Sequence, residues 1–200
     1  MEDKHWVEEI FEECGATLYG HFELTSGRHA EKYLDKAIVL AHTTECCDIC
    51  WQIAQEVGMH YIDVEAVVGP AYGGIILSHN VARALEDFCG EVLALFTEKD
   101  KQGKQVLKRG YKKLLAGKKV LIVDDILTTG GSIKQVIKEV EDAGGQVMAV
   151  AVICNREGVT SKDIGGYPLF SLWNTNIESW ESDNCPLCKE NIPLEDPKSR

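Results

Sequence analysis

Two adjacent carboxylates, Asp124 and Asp125, close an apolar run, and after Ile126 and Leu127 come Thr128, Thr129, Gly130, Gly131 and Ser132. Glycines at such a turn let backbone N–H groups converge on one point, and a helix starting there adds partial positive charge. The hydroxyls of Thr128, Thr129 and Ser132 supply further hydrogen bonds, so the turn is a cradle for a phosphate monoester. The stretch has neither G-x-x-x-x-G-K-[ST] nor G-x-G-x-x-G, which sets it apart from a nucleoside-triphosphate P-loop and a dinucleotide fingerprint. The acids then fit a different task, hydrogen bonding to the vicinal hydroxyls of a ribose. The plainer alternative is a strand-to-helix connection in which Asp125 caps a turn that the glycines shape. Two acids at a strand end beside three hydroxyls favour the ligand site.

A second set of residues could bind metal. Of eight cysteines, Cys14, Cys89 and Cys154 stand alone, as buried thiols usually do. The others include two C-x-x-C pairs, Cys47 with Cys50 (preceded by Cys46) and Cys185 with Cys188. Four thiolates from Cys47, Cys50, Cys185 and Cys188 suit tetrahedral Zn2+. Their separation is far longer than in a zinc ribbon, so a joint site requires the fold to bring them together. Cys185-Pro186-Leu187-Cys188 is the better half-site, because its proline favours a knuckle-like turn. Cys47 and Cys50 fall in a helical pattern and also read as core thiols. Neither pair has a thioredoxin-like context, which disfavours redox chemistry.

The elements that must position these groups follow from periodicity. Helices are predicted over residues 3–14, with Trp6, Ile10 and Phe11 on one side, and over 43–57, 73–85 and 132–145, the last closed by Gly144 and Gly145. Strands are predicted at 66–70, 91–98, 117–125, 146–155 and 167–173. Polar residues 99–110 read as a mobile loop or a hairpin. From residue 65 onward, continuous apolar strands alternate with helices, which predicts an α/β fold: a doubly wound, mainly parallel sheet with helices on both faces. The first 42 residues break this pattern and are expected to form an N-terminal helix and a small cap. Residues 43–175 would be the core and 176–200 a polar, Pro-containing tail with loose final residues, all within a single domain of 200 residues.

Composition narrows the class. With 21 basic against 32 acidic residues the net charge is −11, which argues against a nucleic-acid or membrane-surface binder. The acidic, amphipathic start lacks the layout of a signal peptide, and no stretch approaches about 18 uninterrupted apolar residues, so a cytoplasmic protein is expected.

The stretch VLIVDDILTTGGS, residues 120–132, closely resembles the phosphoribosyl pyrophosphate signature of type I phosphoribosyltransferases. GHFELTSGRHAEKYLDK, VVGPAYGGIILSHNVARAL, EKDKQGKQVLKRGY and ICNREG resemble successive blocks of the orotate phosphoribosyltransferases. The resemblance covers about residues 15–175. It implies the type I phosphoribosyltransferase fold with an N-terminal hood, and transfer of phosphoribosyl from phosphoribosyl pyrophosphate to orotate with Mg2+ as cofactor. It also implies a homodimer whose catalytic loop closes over the neighbouring subunit's site.

By the same resemblance, the donor is held by Asp124, Asp125, Ile126, Leu127, Thr128, Thr129, Gly130, Gly131 and Ser132, and by a diphosphate-facing turn at Tyr72, Gly73 and Gly74. Lys99 is the expected catalytic cation, with Lys101, Lys104 and Arg109 on the same loop. Arg156, Thr128 and the cap residues Thr25, Ser26, Gly27 and Arg28 are expected around the base. Three positions depart from the family pattern: Gly73 and Thr25 where many relatives carry lysine, and Gln102 where many carry histidine. These leave two other readings open, a purine phosphoribosyltransferase and a donor-sensing regulator without turnover.

Overall fold

A computed structural model of the chain describes residues 4–24, 26–61 and 63–197. It divides into two units, one formed by Met1–His42 with Asn176–Arg200 and the other by Thr43–Thr175.

In the first unit, α1 spans Trp6–Glu13 and buries Val7 and Phe11; its first amides are capped by the His5 ring, which accepts from the Val7 N–H. Of the helix expected over 3–14, residue 3 lies outside the described residues. Strands β1 (Thr17–Glu23) and β2 (His29–Leu34) form an antiparallel hairpin whose register shifts between Tyr19 and Phe22. The short helix α2 (Lys36–Ala41) follows, capped by the Asp35 carboxylate.

The second unit runs α3 (Thr43–Gly58), β3 (Ala66–Pro70), α4 (Gly73–Cys89), β4 (Leu93–Lys99), β5 (Gln105–Val106), α5 (Tyr111–Leu115), β6 (Lys119–Leu127), α6 (Gly131–Asp142), β7 (Gln146–Asn155) and β8 (Leu169–Asn174). Its six-stranded sheet has the order β5-β4-β3-β6-β7-β8, parallel except for β5. The central strands are apolar throughout because both faces are covered. Val120 and Ile122 of β6 pack with Ile133, Val136 and Val140 of α6. Leu121 and Val123, alternating with them, point to the opposite face. From the neighbours β3 and β6 the chain crosses over in opposite directions, β3 to β4 and β6 to β7. Right-handed crossovers running opposite ways place α4 and α6 on opposite faces of the sheet.

The chain then returns to the first unit. Residues 176–197 supply β9 (Ser179–Trp180), which pairs antiparallel with β2, and α7 (Pro186–Lys189). Glu195 lies beside β1 through a bridge to Phe22, and its N–H donates to the His21 carbonyl. Residues 198–200, for which the sequence predicts a loose end, lie outside the described residues. No helix among the described residues is long and apolar enough to cross a membrane.

Candidate active site

Ligands of a doubly wound sheet bind beyond the carboxyl ends of the strands where the crossover direction reverses. Here that place lies between β3 and β6. Two residues on from the Val68–Ile122 pair, β3 reaches Pro70 and β6 reaches Asp124. Each strand turns there into a helix with no side-chain cap, α4 after Tyr72 and α6 after Gly130. First-turn N–H groups have no intrahelical partner, so two helix starts offer amides and positive dipole ends to one crevice.

The β6 side holds the signature residues. Strand β6 runs two residues further than its apolar run predicts, because Ile126 and Leu127 stay paired with Cys154 and Asn155 of β7. Asp124 and Asp125 are buried near its carboxyl end. Their carboxylates accept from the next residue's backbone, Asp125 N–H to Asp124 at 2.9 Å and Ile126 N–H to Asp125 at 2.7 Å. These bonds help to fix the orientation of the two carboxylates. Thr128 is half-buried, and Thr129, Gly131 and Ser132 are exposed around buried Gly130. Gly130 takes φ 73°, the left-handed region, and a Cβ there would meet Ile164 at 3.0 Å. The chain therefore turns sharply into α6 at the one residue type that tolerates both constraints.

The β3 side is tighter still. A Cβ on Gly69 would come within 2.4 Å of the Gly74 carbonyl oxygen, and one on Gly74 within 2.7 Å of the Gly69 carbonyl carbon. The Ala71–Tyr72 peptide is cis, and the Ala71 N–H donates to the Thr97 carbonyl at 2.9 Å. Tyr72 is almost fully exposed at the tip of this turn, and Gly73 follows it as the first residue of α4.

Lys99 ends β4 and is exposed at the same edge of the sheet. Residues 97–110 form a hairpin, the second of the two forms their sequence allows. The Asp100 carboxylate accepts from the Gln102 and Lys104 N–H groups, which close its turn and hold that carboxyl below its usual range, Lys104 foremost. Strand β5 is docked on α6 through Gln105 N–H to Gln135 and Leu107 N–H to Glu139. Arg109 and Lys108 are both occupied by Glu98, at 2.6 and 3.0 Å, and Arg109 foremost keeps the Glu98 carboxyl below its usual range. Lys101 and Lys104 lie in the exposed turn.

Arg156 follows β7. Its N–H donates to the Leu127 carbonyl at 2.9 Å, which ties it to the end of β6, and its guanidinium pairs with Glu157 at 2.7 Å. Buried Asn155 shapes this corner. Its amide donates to the Val159 carbonyl and its oxygen accepts from the Val159 N–H, stapling residues 155–159. Sequence reasoning misses Asn155 as a positioning residue, although it stands beside Arg156 at the end of an apolar strand.

In the other unit, Ser26 and Gly27 form the turn of the β1–β2 hairpin, closed by Gly27 N–H to the Leu24 carbonyl. Arg28 is engaged by Ser179 and by Glu181. Thr25 lies outside the described residues. The four-cysteine zinc site expected from sequence needs correcting. The donors gathered with Cys185 and Cys188 are His21 and His29, and Cys47 and Cys50 are not among them. The reason is helical geometry in α3. Cys47 faces solvent, whereas Cys50 turns inward one turn after Cys46, and the two buried thiols hydrogen-bond. That bond, followed by burial, pushes the Cys50 thiol up, as suits a core residue.

Residues 39–181 match the family model of the phosphoribosyl transferase domain. The orotate phosphoribosyltransferase of Caldicellulosiruptor saccharolyticus is 42% identical over 192 residues, covering 96% of this chain and 95% of that protein. The orotate phosphoribosyltransferase of Thermotoga maritima is 40% identical over 194 residues, covering 97% and 98%. Among solved structures, orotate phosphoribosyltransferase from Aeropyrum pernix superposes with a TM-score of 0.69 at 25% identity, covering 84% of this chain and 93% of that one.

Proposed function

The chain belongs to the phosphoribosyltransferase family, among its orotate phosphoribosyltransferases, and from that premise we propose that it transfers phosphoribosyl from phosphoribosyl pyrophosphate to orotate, giving orotidine 5′-monophosphate and pyrophosphate. The observation that carries this reading is the switch-point crevice, where a buried acid pair stands between two uncapped helix starts. The 5′-phosphate is held by the turn of residues 128–132, the ribose hydroxyls by Asp124 and Asp125, and the diphosphate by the turn at Tyr72, Gly73 and Gly74. As pyrophosphate leaves, positive charge grows on the ribose ring and negative charge on the diphosphate, and a nitrogen of the base attacks the anomeric carbon. Lys99 stabilises the departing negative charge. No side chain acts as nucleophile.

Mg2+ fits this site as a cofactor bound largely through substrate. The buried carboxylates of Asp124 and Asp125 offer the hard oxygen donors that such an ion prefers and would help to hold it beside the bound donor. When bound, it neutralises charge on the leaving group. The eight free cysteines suit a reducing compartment, which favours the cytoplasm.

Assaying orotate consumption by the purified chain with donor and Mg2+, with xanthine and adenine in parallel, tests the reaction. Turnover of a purine without orotate would replace it, and tight donor binding without any turnover would leave a sensor.

Arg156 is assigned to the orotate carboxylate, for which its planar fork and its anchorage at the end of β6 suit it. Replacing it with lysine keeps the charge and removes the fork. The expected result is a rise of about 10–100-fold in KM for orotate with KM for the donor unchanged, from a charge-assisted contact of about 1.5–3 kcal/mol. Steady-state kinetics in both substrates checks this, and a shift confined to the donor would reassign the residue.

We also propose a homodimer in which the 97–110 hairpin serves the neighbouring subunit's site. Lys99→Ala alone is expected to lower kcat by about 100–1000-fold. Mixing it with Asp124→Asn/Asp125→Asn should restore about a quarter of wild-type activity, since half the dimers are mixed and each has one intact site. A hairpin acting within its own subunit would give no recovery.

A further inference from the structure

The C-terminal C-x-x-C pair meets two histidines from the β1–β2 hairpin. The His21 Nε2 atom lies 3.5 Å from the Cys185 sulfur and 3.7 Å from that of Cys188, and His29 Nδ1 lies 3.3 Å from Cys188. The two ring nitrogens are 2.9 Å apart, and all four donor atoms fall within 4.8 Å of one another. His21, His29 and Cys185 are buried.

Protonation fixes where the lone pairs point. His21 Nδ1 sits 2.7 Å from the Ile192 carbonyl oxygen, which can only accept, so Nδ1 carries the proton. In the neutral ring Nε2 is then a bare lone pair, directed at the other three donors. The same contact is the outer-shell arrangement that orients a metal-binding histidine.

We propose that His21, His29, Cys185 and Cys188 form a closed structural zinc site. Zn–N of about 2.05 Å and Zn–S of about 2.3 Å at tetrahedral angles separate nitrogen from sulfur by about 3.5 Å and nitrogen from nitrogen by about 3.3 Å. The three nitrogen–sulfur distances already match, and the imidazoles need only part by about 0.4 Å to reach those values. Two thiolates and two neutral imidazoles cancel the charge of Zn2+, so a neutral centre can sit in this buried place. The mixed sulfur and nitrogen set selects zinc, and four protein ligands leave no open position for catalysis.

The ion would tie the tail to the hairpin that carries Ser26, Gly27 and Arg28. His29 directly follows that turn, and the tail between α7 and Glu195 crosses β1 at His21. The hairpin and tail bury few large side chains of their own, and a metal cross-link supplies what a small core lacks.

The test uses the full chain, purified without chelator and dialysed against zinc. Elemental analysis should find about one zinc per chain. Cys185→Ser/Cys188→Ser should retain at least about ten-fold less, whereas Cys47→Ser/Cys50→Ser should retain it fully. Replacing zinc with Co2+ should produce thiolate-to-cobalt charge transfer and tetrahedral ligand-field bands. If the serine variant fails to fold, the cobalt spectrum of the wild-type chain decides. Zinc far below one per chain, zinc kept by Cys185→Ser/Cys188→Ser, an octahedral cobalt spectrum, or a Cys185–Cys188 disulfide in the isolated protein would each overturn the proposal.

Discussion

Changing Asp124 and Asp125 together to asparagine should lower kcat/KM for phosphoribosyl pyrophosphate by about 100- to 10,000-fold. Each carboxylate is assigned one charge-assisted bond to a ribose hydroxyl, worth about 1.5–3 kcal/mol, and every ~1.4 kcal/mol is a factor of ten. The substitution is close to isosteric. An asparagine Oδ1 can still accept the N–H of the next residue, so the bonds of Asp125 N–H at 2.9 Å and Ile126 N–H at 2.7 Å survive. Circular dichroism and the melting curve should therefore stay near wild type while donor use collapses. The single variants should each fall between, since the acids grip neighbouring hydroxyls of one sugar. Wild-type kcat/KM in the double variant would remove the acids from the site altogether and return them to the plain role of shaping a turn.

The place of these acids, buried near the carboxyl end of β6 just before a glycine turn, is legible in the amino-acid sequence because the relevant information is local. Asp124 through Ser132 are contiguous, and a buried parallel strand advertises itself as a continuous apolar run, as in β3, β6 and β7. The ordering of strands is less accessible. That β3 and β6 are neighbours, which creates the switch point, depends on pairing between residues about 50 apart in sequence. The short elements α2, α5 and β5 escape sequence reading because they carry too few residues for a period to register and are held by tertiary bonds, such as Gln105 N–H to Gln135. His21 and His29 escape for a related reason. Seven residues separate them and more than 150 separate them from Cys188, so only the antiparallel hairpin and the returning tail make them neighbours. Cys47 and Cys50 mislead in the opposite sense. Their spacing matches a metal knuckle, but Cys50 lies one turn after Cys46 on the buried face of α3, and Cys47 stands at the margin of that face, exposed to solvent.

The same distinction between spacing and contact governs Gly74→Ala, for which the second large effect is expected. The added Cβ would lie 2.7 Å from the Gly69 carbonyl carbon and 2.8 Å from the Pro70 ring. Gly69 contributes backbone to that contact, so no rotamer change relieves it and β3 must part from the start of α4. Overpacking of this kind costs about 1–3 kcal/mol, equivalent to a melting temperature lower by about 2–10 °C in a chain of this size. The turn between them is also the seat we propose for the diphosphate, so kcat/KM for the donor should fall by at least about 100-fold through lost positioning, with KM for orotate little changed. Gly131→Ala provides the contrast in stability. Its Cβ would meet only the Thr129 hydroxyl, at 3.6 Å, and it opens the helix α6, where alanine is preferred to glycine. Its melting temperature should match or exceed that of the wild type. If Gly74→Ala melts like the wild type and uses the donor normally, the close approach of β3 and α4 does not set the shape of the turn, and the diphosphate must be held elsewhere.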